Sequence, residues 1–194
     1  MLSPAKSINK DELIFKNSDL RKLIFPLIIE QLLSIMVGMA DSIMVASVGE
    51  AAVSAVSLVD SVNLLLFFIF SSVATGGAVV AGQYLGSKRP EKACESCDQL
   101  FNLTIVMSVI ITVIMYLGRG FILNGLFGRI EPDVKAYANT YLLIVFAAIP
   151  FLAIYNCGAA MFRAMGNTKI SMNTSLLMNS INVVGNAILI YGCH

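Results

Sequence analysis

Residues 23–46, LIFPLIIEQLLSIMVGMADSIMVA, decide the fold. The stretch carries only two charged side chains, Glu30 and Asp41. It is long enough to cross a hydrocarbon core about 30 Å thick, which takes about 20 residues at a rise of about 1.5 Å each. Outward from it, four further apolar segments follow, at about residues 53–82, 100–117, 137–161 and 170–191. Backbone groups in lipid must be satisfied within their own segment, so all five are read as α-helices. The alternation expected of a barrel strand is absent, and the runs are too long for one. The sequence therefore predicts an all-α membrane protein, a polytopic bundle of transmembrane helices over residues 23–192.

The composition agrees. Of 194 residues, 57% are hydrophobic and 13% charged, and mean hydropathy is +0.81. The charged share is about half that of a soluble domain. These values exclude a disordered chain, a nucleic-acid binder and a disulfide-stapled secreted domain. Net charge is +1, so no global field draws the chain to polyanions. Residues 1–22 are polar, with no apolar stretch or cleavage site, and read as a cytoplasmic tail rather than a signal peptide.

Turn signals mark the connectors: Gly49-Glu50, then Gly86 to Pro90, then Gly166 to Lys169. The longer stretch from Arg119 to Asp133, with Phe121, Ile122, Leu126 and Phe127, suggests a short helix lying at the membrane interface. One side of the membrane receives Lys6, Lys10, Lys16, Arg21, Lys22, Lys88, Arg89, Lys92, Arg163 and Lys169; the other receives Arg119, Arg129 and Lys135. That asymmetry predicts a cytoplasmic N-terminus, and five spans then place the C-terminus outside.

Ionisable groups inside spanning helices are costly and usually functional. Asp41 lies about five residues from the outer end of the first helix, and at 100° per residue Glu30, Ser34 and Asp41 share one stripe. Gly38, Ser42 and Ala46 form an adjacent small-residue stripe suited to close helix packing. Asp41 is therefore expected to face the protein interior as a functional group; the alternative is an interface carboxylate that only hydrogen-bonds. Glu30, near the cytoplasmic end, is a weaker candidate.

The fifth helix carries Asn179, Asn182 and Asn186 on one stripe. Asn186 lies at the depth of Asp41, with Asn182 one turn deeper. A carboxylate with amide oxygens suits a small hard cation such as Na+. It equally suits a proton, because burial raises a carboxylate's affinity for one. The alternative is interhelical hydrogen-bond glue. Asp60, Asn63 and Asn156 are further polar candidates, Asn156 as a residue lining a pathway. Pro150 interrupts the fourth helix and would kink or hinge it. Gly76, Gly77 and Gly82 read as packing glycines. Cys94 and Cys97 form a single C-x-x-C without a second pair or nearby His, which is weak grounds for zinc. No catalytic constellation is present, which argues against an enzyme.

Four segments resemble the multidrug and toxic compound extrusion (MATE) family: Pro26 to Gln31 followed by Ala40 to Val45; Gly82 to Gly86 with Glu91 to Ala93; Phe162 to Lys169; and Asn182 to Asn186 with Leu189 to Gly192. The resemblance runs from about residue 20 to near the end. It implies a secondary transporter with twelve helices in two lobes, exporting drugs or organic cations across the cell membrane in exchange for H+ or Na+. It maps the N-lobe cation residue to Asp41, with Asn182 and Asn186 assisting. Where some branches carry Asp at the second asparagine position, this chain has Asn186, as in the bacterial drug exporters.

The expected partners are a drug-like or organic-cation substrate and the lipid bilayer, with no nucleic acid. No cofactor is expected beyond the coupling ion. Ser34, Asn156 and Asn179 are weaker candidates for the substrate pathway. Five of twelve helices implies an N-terminal fragment or truncated product, whose C-terminal lobe would lie in the same or another chain. Two readings compete with export. One is a small helical subunit that transports nothing. The other is a flippase for lipid-linked precursors, disfavoured because the spans show no Lys or Arg that would make a cationic cavity.

Overall fold

The structure is a computed structural model that describes residues 17–192. Most of the polar tail, with Lys6, Lys10 and Lys16, and the terminal Cys193-His194 lie outside the described residues. Five helices follow in order: α1 (Asn17–Ala46), α2 (Glu50–Gly86), α3 (Pro90–Phe121), α4 (Pro132–Ala164) and α5 (Thr168–Tyr191). A π-helical turn, Ile122–Leu126, continues α3. All five helices are long and apolar enough to cross a membrane, and the described residues contain no strand.

Every helix runs past its apolar segment. α3 starts ten residues before the predicted Leu100, and only Ser87 to Arg89 separate it from α2. Hydropathy detects the part of a helix that matches hydrocarbon, whereas the helix itself continues through polar interface. Local chemistry marks the true ends. Pro90 and Pro132 open α3 and α4, where a missing N–H costs nothing. Glu50, Glu91 and Asp133 sit in first turns, and Arg119 and Arg163 in last turns, each favourable to the helix dipole. Gly166, with φ +77, closes the turn after α4, a conformation that a glycine adopts without strain.

The interfacial helix expected between Arg119 and Asp133 is not found. Phe121 ends α3 and the π turn carries the chain straight on. Ile122 and Leu123 are buried in the core cluster, whereas Phe121 and Leu126 are exposed, so only part of the stretch turns inward.

That core is the α2–α4 contact. Ala55, Val59, Val62, Leu66 and Phe70 of α2 meet Val134, Ala138, Leu142, Phe146, Ile149 and Ala153 of α4. The spacing of three and four residues keeps each set on one helical face. α3 packs on both helices and buries Thr104 and Ser108 with Leu100. Of the three packing glycines, Gly77 behaves as expected, since a Cβ there would run into the Leu100 side chain. Gly76 faces open space, and Gly82 would make only ordinary contact. α1 packs chiefly along α5 rather than along its chain neighbour α2. The bundle therefore consists of an α2–α3–α4 body and an α1–α5 pair laid against it.

Candidate functional site

α1 and α5 run parallel and touch through polar side chains at three levels. We call the end bearing Lys22, Arg163 and Lys169 the basic end. Nearest to it, Pro26 has no N–H to give the Lys22 carbonyl, and the Thr168 hydroxyl donates to that carbonyl from α5 at 3.4 Å. Next, the Ser171 hydroxyl lies 3.1 and 2.9 Å from the two oxygens of Glu30. The third level, toward the opposite end, is built on Asp41.

At Asp41 the Asn186 amide nitrogen donates to Oδ1 at 2.9 Å. The Asn182 amide nitrogen faces the same carboxylate, 3.0 Å from Oδ1 and 3.0 Å from Oδ2. The reverse orientation would set its oxygen against both carboxylate oxygens, so the amide is assigned by its partners. The two amide groups are 3.3 Å apart. Asn182 and Asn186 are one turn apart on α5, which lets both reach one carboxylate. The small-residue stripe does not pack closely here: Gly38, Ser42 and Ala46 are exposed, a Cβ on Gly38 would meet nothing within 4 Å, and the Ser42 hydroxyl folds back onto the Gly38 carbonyl at 2.9 Å.

Asn179 does not reach this cluster. Its amide nitrogen lies 3.4 Å from the Ser175 hydroxyl, one turn toward the basic end. Asn156 is 4% exposed and donates to the Leu152 carbonyl at 3.0 Å. Asn156 and Ser34 line one cavity of about 360 Å³ between α1, α2 and α4, together with Glu30, Phe67, Tyr155 and Arg163. Asp60 is engaged from α4 by the Tyr141 hydroxyl at 3.3 Å. Pro150 lies inside an α4 that continues unbroken to Ala164.

Sequence reasoning missed Arg163, Ser171, Ser175 and the two tyrosines. Arg163 was counted as a loop charge, yet it sits in the last turn of α4. Its guanidinium lies 3.7 Å from Glu30 Oε1 and donates to the Ser171 hydroxyl at 3.2 Å. An arginine thus does enter the spans, and Glu30 meets its charge. The available signal was spacing: Asp41 lies eleven residues beyond Glu30, and Asn182 eleven beyond Ser171. Eleven residues are close to three turns, so one parallel register aligns both pairs.

Comparison with known proteins follows from this geometry. The MatE family model matches residues 26–188. A protein of Bacillus subtilis (strain 168) described as "Uncharacterized transporter YisQ" is 28% identical over 92% of this chain and 41% of its own. A "Probable multidrug resistance protein NorM" of Streptococcus pneumoniae is 25% identical over 88% of this chain and 37% of its own. A solved structure described as the outward-facing conformation of a multidrug resistance MATE family transporter superposes with a TM-score of 0.83 at 21% identity. It is matched over 90% of this chain and 38% of the other. The chain spans about two fifths of the length of these relatives.

Proposed function

The chain belongs to the MatE family, and on that footing we propose that it serves a secondary transporter exporting drug-like organic cations in exchange for H+ or Na+. The exchange is proposed for a protein of the relatives' full length, in which a second lobe, in this or another chain, completes the pathway. Its basic end, with the N-terminus, would lie in the cytoplasm, and the whole in the cell membrane. Transport rather than enzyme chemistry is the activity assigned to it.

The observation that carries this reading is the Asp41–Asn182–Asn186 cluster. A carboxylate in a spanning helix is expensive, and here two amides from another helix surround it. An amide presents donors at one end and an acceptor at the other. In this structure N–H groups face the carboxylate. A bound Na+ needs oxygens, so Asn182 would turn Oδ1 inward; a proton on Asp41 would ask for the same turn, giving the new O–H an acceptor. The amide is thus a two-position element whose state follows the ion. The cavity sets the rings of Phe67 and Tyr155 and the apolar Leu27 and Ala159 beside Ser34, Asn156 and the Glu30–Arg163 pair, a mixed surface whose aromatic faces and carboxylate suit an amphipathic cation.

The test is Asp41→Asn in the complete gene product, assayed for efflux of a fluorescent organic cation driven by a pH or Na+ gradient. We expect coupled efflux to fall at least tenfold with normal membrane abundance. Undiminished gradient-driven efflux would overturn the assignment. If Asp41 and both asparagines instead accept apolar replacements without loss, the cluster is structural glue and the non-transporting subunit becomes the better reading.

A further inference from the structure

The polar stripe of α5 does not choose its own register against α1. Thr168 and Asn179, Ser171 and Asn182, and Ser175 and Asn186 are three hydroxyl–amide pairs, each eleven residues apart. Glu30 and Asp41 have that same spacing. In any of three registers one turn apart, Glu30 would face a hydroxyl and Asp41 an amide. The one observed sets Glu30 on Ser171 and Asp41 beside Asn182. Within the pair only the long Thr168–Lys22 contact favours one register, and α4 supplies a stronger selector. Arg163 reaches Glu30 at 3.7 Å and Ser171 at 3.2 Å together.

We propose that Arg163, with Glu30 and Ser171, is a register lock: a positioning cluster about 16 Å along the helix axis from Asp41 that decides which asparagine stands opposite that carboxylate. Arg163 touches no ion and no substrate in this role. It pins α1 and α5 to each other and to the α2–α3–α4 body at a single level. Its loss frees the pair to slip by a helical turn, a step of about 5.4 Å of the kind that switches packed helices elsewhere. After a slip one way Asp41 faces Asn186 with no amide a turn beyond it; after a slip the other way it faces Asn179 with Asn182 in the place of Asn186. The register claim stands on geometry; only its consequence for the coupling ion rests on the function proposed above.

Disulfide trapping in the complete gene product, in membranes and with the native cysteines replaced by serine, reads the register directly. Val37 and Met178 lie between the two levels, seven residues beyond Glu30 and Ser171 respectively, and each within about 20° of that residue at 100° per residue. A Val37→Cys chain is paired with Met178→Cys, and separately with Ser175→Cys and Asn182→Cys for the neighbouring turns. The Met178 pair should cross-link best. Arg163→Gln should cut that yield at least threefold and raise it a turn away, whereas Arg163→Lys should keep the original pattern. An unchanged pattern in Arg163→Gln overturns the proposal. So does an Arg163→Lys pattern as altered as that of Arg163→Gln, which would indicate lost packing instead of a lost charge contact. Should Arg163→Gln not accumulate, Ser171→Ala removes one hydroxyl and decides in the same way. A shifted pattern alongside normal coupled efflux in Asp41→Asn would uphold the lock and refute the ion site. An unshifted pattern with efflux abolished would do the reverse.

Discussion

Where α2 meets α4, the touching side chains are Val59, Leu66, Phe70, Leu142, Phe146 and Ile149. Where α1 meets α5, they include Glu30, Asp41, Ser171, Asn182 and Asn186. Both contacts join apolar helices of spanning length, yet one is an apolar interlock with a single polar bond, Tyr141 to Asp60, beside it, and the other is polar and sparse. Burial follows the same division: 39% of the α4 span is buried and 6% of the α1 and α5 spans. In lipid the hydrophobic effect does not drive helices together, so close packing and hydrogen bonds must. Packing favours one arrangement because side chains interlock. Hydrogen bonds between polar stripes tolerate several arrangements, because each polar group finds another partner a turn away. The body is built to stay put and the pair is built to be set.

Four substitutions test that division, each scored by unfolding in mixed micelles. Phe146→Ala should be the most damaging, at about 3 kcal/mol, because a fully buried ring, packed edge-on against Tyr116, leaves a cavity. Gly77→Ala comes next, at about 1–2 kcal/mol, since its new methyl must displace the buried Leu100 side chain. Asn182→Leu should cost about 1 kcal/mol, the size of one interhelical hydrogen bond in lipid, while abolishing any Na+- or pH-dependent change in the melting of the protein. Thr168→Val should cost about 0.5 kcal/mol, since the bond it removes is long. The division fails if Asn182→Leu destabilises more than Phe146→Ala, or if Phe146→Ala changes the response to ions.

The body was more legible than the pair. Apolar runs announced five spans because burial in lipid demands them, and the MATE-like segments placed them in a family. Their ends were not legible, because polar interface residues such as Lys92 and Glu95 continue α3 where hydropathy stops. The Asp41 stripe and the asparagines stood out because charge and amide are rare in hydrocarbon. Arg163 did not, because an arginine beside a Gly-Asn turn reads as a loop charge until a helix is seen to include it. Nothing in the residues adjacent to α1 announces that its partner is α5. Only the shared eleven-residue spacing carries that information, and it is visible once two helices are laid side by side.

That long separation has a consequence in time. The partners of Asp41 are encoded 141 to 145 residues after it. At a synthesis rate of about 5–20 residues per second, Asp41 is made roughly seven to thirty seconds before either asparagine. α2, α3 and α4 emerge in the interval and can close the α2–α4 apolar contact, with α3 packed on both, without waiting for α5. α1 waits meanwhile without its α5 partners, and α5 completes the bundle last. The chain is thus written so that its rigid part is finished first and its ion-responsive part is assembled against it.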